Sequence, residues 1–166
     1  MDQKAFLPLG LLYLAAYLKK NSGHQVEVCD LAGKEDELEN ALTGIDADLF
    51  GLTATTPQYP PAREILAILR SQKPGSKVVL GGVHATSAPE TCKAEGWDHV
   101  VLHEGEQALV ALANGLEEKR EIPLLFQSSY ISDIDTIPYP AIEMLDYSSY
   151  GYSIDGHKAL TLITSR

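Results

Sequence analysis

The sequence predicts an open parallel α/β sheet with helices on both faces, and three observations carry that prediction. Short, continuously apolar segments recur, LFGLTAT at 49–55, KVVLG at 77–81 and HVVLH at 99–103. Continuous rather than alternating apolar character marks strands covered on both faces. Stretches with helical spacing of apolar residues lie between them, and the connections are a few residues long, as α/β units require.

Taken in order, residues 7–20 carry Leu11, Leu14, Ala15 and Leu18 at i, i+3, i+4 and i+7. Leu9, Leu12 and Ala16 make the other faces apolar too, so a well-buried helix is expected, ending at Asn21-Ser22-Gly23. QVEVCDL at 25–31 reads as a strand. Lys34–Leu42 reads as a helix, with Leu38, Ala41, Leu42 and Ile45 on one stripe. Pro60–Lys73 is a helix with Ala62, Ile65, Leu66 and Leu69 on one face; its paired prolines suit the first turn and Pro74-Gly75 stops it. Pro89–Ala94 is a short helix closed by Gly96, and Gly105–Leu116 a helix closed near Asn114-Gly115. After Leu116 the pattern breaks. Residues 121–157, with Pro123, Pro138 and Pro140, read as a linker with a short helix near Ala141–Leu145. Lys158–Ser165 (KALTLITS) reads as one more strand. The expected organisation is therefore a sheet domain at 1–120, a linker at 121–157 and a further strand at 158–166.

A chain of 166 residues suits one domain with a real core. Its formal charge of −10 and lack of a Lys/Arg cluster argue against a groove for the nucleic-acid backbone. No apolar stretch approaches the roughly 20 residues that span a bilayer. The apolar run Phe6–Leu18 lacks a basic leader and a small-residue cleavage site, so it is not read as a signal peptide. The two cysteines, Cys29 and Cys92, lie far apart without CxxC spacing. They are expected to be reduced core thiols of a cytoplasmic protein, and a zinc or iron–sulfur site would need more ligands.

Open parallel sheets bind ligands beyond the carboxyl ends of their strands. Four segments occupy that position here. Asp30–Gly33 offers an acid that can hold a ribose hydroxyl, or that simply caps a turn. Thr53-Ala54-Thr55-Thr56 offers hydroxyls for a ligand, which equally serve β-propensity and helix capping. Gly81-Gly82-Val83-His84-Ala85-Thr86 lets a ligand lie against bare backbone, or forms a tight turn; His84 is a contact residue or a packed histidine. His103-Glu104-Gly105-Glu106 opens a helix, where the acids favour the helix dipole and would repel a bare phosphate. No GxGxxG follows a strand and no GxxxxGK[ST] appears. Neither a serine elbow, nor a Cys–His pair of convincing spacing, nor HExxH is present. With no catalytic constellation, the chain reads as a binding module.

Four stretches, PLGLLYLAAYLKKNSGHQVEVCDL (8–31), GLTATTPQYPPAREI (51–65), GGVHATSAPE (81–90) and HVVLHEGEQAL (99–109), resemble in order and spacing the N-terminal cobalamin-binding domain of cobalamin-dependent radical SAM enzymes. The segment ID-TIPYPAIEMLDYSSY (134–150) is similar to the lead into the radical SAM barrel, and LTLITSR (160–166) to its first strand. The resemblance implies a Rossmann-like (flavodoxin-like) sheet and cobalamin as cofactor, its nucleotide tail in the groove at the strand ends. It implies that Thr53, Thr55 and Thr56 face the tail and that Gly81 and Gly82 allow close approach. His84, Ala85 and Thr86 would stand beside them, and Gly105 and Glu106 would line the far wall.

Three departures qualify that expectation. DxHxxG, by which some cobalamin proteins supply a histidine to cobalt, is absent, so His84 is not expected to ligate the metal. His103 stands where the family has a small residue, usually Gly. The cluster motif CxxxCxxC is absent, so S-adenosylmethionine and a 4Fe-4S cluster belong to the parent enzyme and not to this chain. The family's opening strand is missing as well. In a 2-1-3-4-5 order it would be central, and its place is expected to be taken by KALTLITS folding back or by a strand swapped from a second copy in a homodimer. The expected role is to hold the corrinoid for the barrel of a methyltransferase or cyclase-like enzyme. The rival reading is a corrinoid-free domain used for substrate binding or subunit contact.

Overall fold

A computed structural model describes residues 6–127, 129–159 and 161. The chain divides into two compact units, one of residues 1–35 with 135–166 and one of residues 36–134.

The second unit carries the sheet. β1 (Leu49–Thr53), β2 (Lys77–Gly81), β3 (His99–Leu102) and β4 (Leu125–Gln127) lie side by side in that order, all parallel. Thr53 pairs with Gly81 and Leu102 with Gln127, so the strands end together at one edge. The apolar runs are central: Val78, Val79, Leu80 and Val100 are buried, as strands covered on both sides should be. Helices α2 (Leu38–Thr43), α3 (Tyr59–Gln72), α4 (Val83–Ser87), α5 (Pro89–Ala94) and α6 (Glu106–Glu117) complete the unit. α3 buries Tyr59, Ala62, Leu66 and Leu69 along one stripe, with Pro60 and Pro61 in its first turn, where a missing N–H costs nothing. On α6, Ala108 and Leu112 pack with Val79 and Val101 of the sheet.

Three features of this unit differ from the sequence reading. β4 lies inside the stretch read as a linker, because three residues after a proline are too short to show a period. α4 stands in the segment that reads either as a loop facing a ligand or as a tight turn. Gly115 does not close α6; it is buried within the helix, where a Cβ would stand 2.9 Å from Ile122 Cδ1, and Lys119 takes the left-handed position after the helix end.

Asp98, just before β3, ties down the amino end of the sheet. Its carboxylate accepts from Arg70 of α3 (2.6 Å), Lys77 (2.9 Å) and the Val78 N–H (2.8 Å). Burial alone would raise this carboxyl; the donors from Lys77, Val78 and Arg70 outweigh it and hold it below the ordinary carboxylate range.

In the first unit, α1 (Leu9–Asn21) buries Leu9, Leu12, Ala15 and Leu18, so its buried stripe runs one face over from Leu11 and Leu14. The Ser22 hydroxyl donates to Leu18 O and the Asn21 amide to Tyr17 O, which satisfies carbonyls at the helix end. Leu7, Leu9, Leu12 and Tyr150 form a core that Val28, Ile142 and Leu145 complete. The expected helix near 141–145 is a single 3-10 turn, Ile142–Met144. QVEVCDL is not a strand. Residues 22–30 alternate between half-buried and exposed, as extended backbone does, but pair with no strand among the described residues. Cys29 is accordingly exposed, against the expectation that both thiols are core; Cys92 is buried. Asp30 accepts from Ala32 N–H and from the Tyr150 hydroxyl, the turn-forming use of that acid. A two-stranded hairpin, β5 (Ser153–Ile154) with β6 (His157–Lys158), turns at Asp155-Gly156, both left-handed as this turn demands. The strand expected at 158–165 otherwise falls almost wholly outside the described residues.

Candidate functional site

Three loops leave the carboxyl ends of β1, β2 and β3, and hydrogen bonds join each to the next. The first holds the threonines. Thr53 ends β1, exposed, and its hydroxyl makes no hydrogen bond among the described residues. The Thr55 N–H and hydroxyl both donate to Gln58 Oε1 (3.1 and 2.9 Å), so that side chain is committed to starting the following turn. Thr56 Oγ1 lies 3.2 Å from His84 Nδ1 of the second loop.

The second loop begins at Gly81 and Gly82. A Cβ on Gly81 would meet nothing nearer than Leu52 O at 4.0 Å. Gly82 is different. Its φ is +93°, and a Cβ there would stand 2.5 Å from Thr53 Oγ1 and 3.0 Å from Ala54 O. The close approach that this glycine permits is therefore made by the chain's own β1 end. His84 N–H donates to Ala54 O (3.0 Å) and Ala54 N–H to Gly81 O (3.3 Å), fastening the two loops. Ala85 is fully buried in α4 and packs inward.

His84 is 9% exposed, its ring stacked on Tyr59 at 3.9 Å between centroids. Its Nε2 is buried and has no hydrogen-bond partner among the described residues. A buried polar atom left in that state is rare and marks a place for a ligand or water contact. Sequence reasoning missed Tyr59. The aromatic residue directly before Pro60-Pro61 at a helix start was the available signal. Its hydroxyl donates to Glu95 and accepts from Trp97 Nε1 (3.3 Å), and burial together with Glu95 pushes its ionisation well above the ordinary tyrosine range. Tyr59→Phe should keep the stack on His84 but strip both partners, lowering stability by about 1–2 kcal/mol in urea denaturation; an unchanged midpoint would show that water replaces the hydroxyl.

The third loop is tied to the second by Thr86. Its hydroxyl donates to Gly82 O (3.2 Å) and accepts from His103 N–H (2.9 Å), so this side chain joins two loops. His103 has φ +60°, a left-handed conformation that costs a non-glycine residue about 1 kcal/mol. That is the physical reason a glycine suits this position. Gly105 precedes α6, and Glu106, 3% exposed, sits in its first turn, where a carboxylate favours the helix dipole. The loops thus bring Thr53, Thr56, Gly81, Gly82, His84, Thr86 and the His103 turn to one end of the sheet. Among the described residues no three His, Cys, Asp or Glu side chains gather to hold a metal ion.

An open parallel sheet with joined, glycine-bearing loops at its carboxyl edge defines a small-molecule-binding α/β module. The chain belongs to the B12 binding domain family, whose model matches residues 4–113 and so includes β1, β2, β3 and all three loops. Cobalamin is the cofactor of that family. The chain is 29% identical, over 96% of its length and 38% of the relative's, to an uncharacterized methyltransferase of Pyrococcus horikoshii. It is 33% identical to an anaerobic magnesium-protoporphyrin IX monomethyl ester cyclase of Rubrivivax gelatinosus, over 68% of this chain and 21% of that one. It is 31% identical to a bacteriochlorophyllide d C-8(2)-methyltransferase of Chlorobaculum tepidum, over 73% of this chain and 26% of that one. The chain thus spans well under half the length of these relatives.

The residues fit a corrinoid. Its rim of neutral amides asks for hydroxyl and imidazole partners and for a wall thin enough to reach. Thr53 has a hydroxyl to give, His84 an unpaired ring nitrogen, and Gly81 an open face. No helix among the described residues is long and apolar enough to cross a membrane.

Proposed function

We propose that this chain is the cofactor-holding part of a larger cobalamin-dependent radical SAM enzyme, a methyltransferase or cyclase-like protein working in the cytoplasm. The observation that carries the reading is the joined set of carboxyl-edge loops lying inside the family match. The resemblance of residues 134–150 and 160–166 to the entry of a radical SAM barrel supports the larger enzyme, as do the methyltransferases and cyclase among the relatives.

When bound, the corrinoid supplies a cobalt centre that carries a methyl group or serves a radical step. The chain's own residues bind and orient it. Thr53 and His84 offer hydrogen bonds, Gly81 gives the ligand room, and Gly105 and Glu106 form the wall beyond. Thr55, Thr56, Gly82, Ala85 and Thr86 act mainly by holding the loops in place. The boundary between binding domain and linker belongs to this proposal and moves from residue 120 to beyond β4, which pairs with β3 as the last strand of the sheet.

Titration of the purified chain with hydroxocobalamin, followed by desalting and ultraviolet–visible spectroscopy, tests the reading. A retained corrinoid with a spectrum shifted toward the base-off form is expected. A folded sample that retains none would assign the loops to substrate or subunit contact instead.

A further inference from the structure

Among the described residues β1 pairs with β2 alone, so its other side is a free edge of the sheet. Free edges are templates for another chain, and proteins blunt them with short strands, lysine, proline or a bulge. β4, the opposite edge, is three residues long. β1 has none of these devices. It is five residues long, carries neither charge nor proline, and keeps step with β2 at every residue, without a bulge. Gly51 stands at its centre, exposed. Its φ is not positive, and a Cβ there would meet nothing nearer than Val79 Cγ1 at 3.8 Å. The sheet unit therefore does not itself require this glycine. A glycine inside a strand weakens it, and where there is no bulge it marks the close approach of another backbone. The hydrogen bonds fix which groups face outward. Lys77 N–H donates to Asp48 O (2.8 Å) and Ala54 N–H to Gly81 O (3.3 Å). Backbone groups alternate sides along a strand, so Phe50 and Leu52 also face β2. Leu49, Gly51 and Thr53 turn both N–H and C=O to the open edge.

We infer that two copies of this chain join edge to edge through β1, antiparallel about a two-fold axis at Gly51, so that two four-stranded sheets become one. The edge is self-complementary in that arrangement alone. Gly51 exchanges both hydrogen bonds with Gly51 of the second copy, and Leu49 does so with Thr53 on either side of the axis. Every outward N–H and C=O of the three residues is then paired. Asp48 lies opposite Ala54, so no two acids face each other across the ladder, although each chain carries a net charge of −10. No strand is exchanged; each copy supplies the partner its own edge lacks.

Sedimentation equilibrium of the full chain across a micromolar concentration series should show a species of twice the 18.0 kDa chain mass. Gly51→Lys and Gly51→Glu each set like charges opposite one another at the axis and should loosen the dimer at least about ten-fold. Both have room for the new Cβ, and buried Trp97 reports by fluorescence that the unit remains folded. Gly51→Lys makes the chain less negative, so its loss of pairing does not come from net repulsion. Mixing the two variants should restore pairing, because only a residue that faces itself brings the lysine and the glutamate together. Amide hydrogen exchange of the wild type needs no substitution: Leu49, Gly51 and Thr53 should gain protection as concentration rises. A monomeric wild type, a dimer indifferent to both substitutions, variants that stay apart on mixing, or unprotected amides at these three positions would overturn the inference. None of these readouts involves a corrinoid, so the cofactor reading stands or falls separately.

Discussion

Gly82→Ala should destabilise the sheet unit by about 2–4 kcal/mol, while Gly81→Ala, one residue away, should change stability by less than about 1 kcal/mol. The contrast has two physical sources. At Gly82 the backbone lies at φ +93°, where an L side chain is strained whatever its surroundings, and the new Cβ would sit 2.5 Å from Thr53 Oγ1 and 3.0 Å from Ala54 O. The threonine can rotate away; the Ala54 carbonyl cannot, because it accepts from His84 N–H. At Gly81 neither penalty applies. Trp97, the single tryptophan, is buried in this unit, so its fluorescence during urea denaturation reads the comparison directly. Equal midpoints for the two variants would mean that the second loop relaxes freely and that its geometry does not depend on the turn. Cofactor retention separates the pair further. Gly81→Val should weaken corrinoid binding in a protein of nearly normal stability, because the open face of Gly81 is where a ligand gains its room.

Asp98→Ala should cost about 2 kcal/mol, the second-largest effect, and should act through acid stability. A fully buried pair broken on one side costs about 3–5 kcal/mol. Arg70 and Lys77 are partly exposed, with side chains 35% and 49% accessible, and water screens what they lose. The sign of the pH dependence follows from the depressed carboxyl. The unfolded chain binds the Asp98 proton near pH 4, before the folded chain does. Stability from this group is therefore complete above about pH 4 and lost as pH falls through the lower folded value. Asp98→Asn should flatten that acid limb while leaving the slope near neutrality alone. An acid limb identical to wild type would show that Arg70 and Lys77 find water as readily as they find Asp98.

Much of the fold was legible in the sequence for one reason: strands covered on both faces must be continuously apolar, and KVVLG and HVVLH declare themselves in isolation. α3 was equally plain, since paired prolines and an i, i+3, i+4 stripe state both its start and its buried face. β4 was not legible. LFQ is too short to carry a period, and what makes it a strand is the free edge of β3, to which its Leu125 and Phe126 pair. The opposite failure occurred at QVEVCDL, which has the composition and the alternating exposure of a strand. A strand is a pairing, and no local signal records whether a partner lies alongside.

The candidate site divides in the same way. That Thr53–Thr56, Gly81–Thr86 and His103–Glu106 stand at strand ends follows from the order of apolar and glycine-bearing segments, and the sequence by itself determined it. Which of those side chains remain available to a ligand is settled by contacts between residues distant in the chain. Thr56 meets His84, Thr86 meets His103, and Tyr59 takes the face of His84. Gly82 is glycine because Ala54 lies against it, and the N–H of the left-handed His103 is held by Thr86. Local pattern specifies which backbone states a segment can adopt, but a hydrogen bond or a close approach exists only when the folded sheet brings its two ends together.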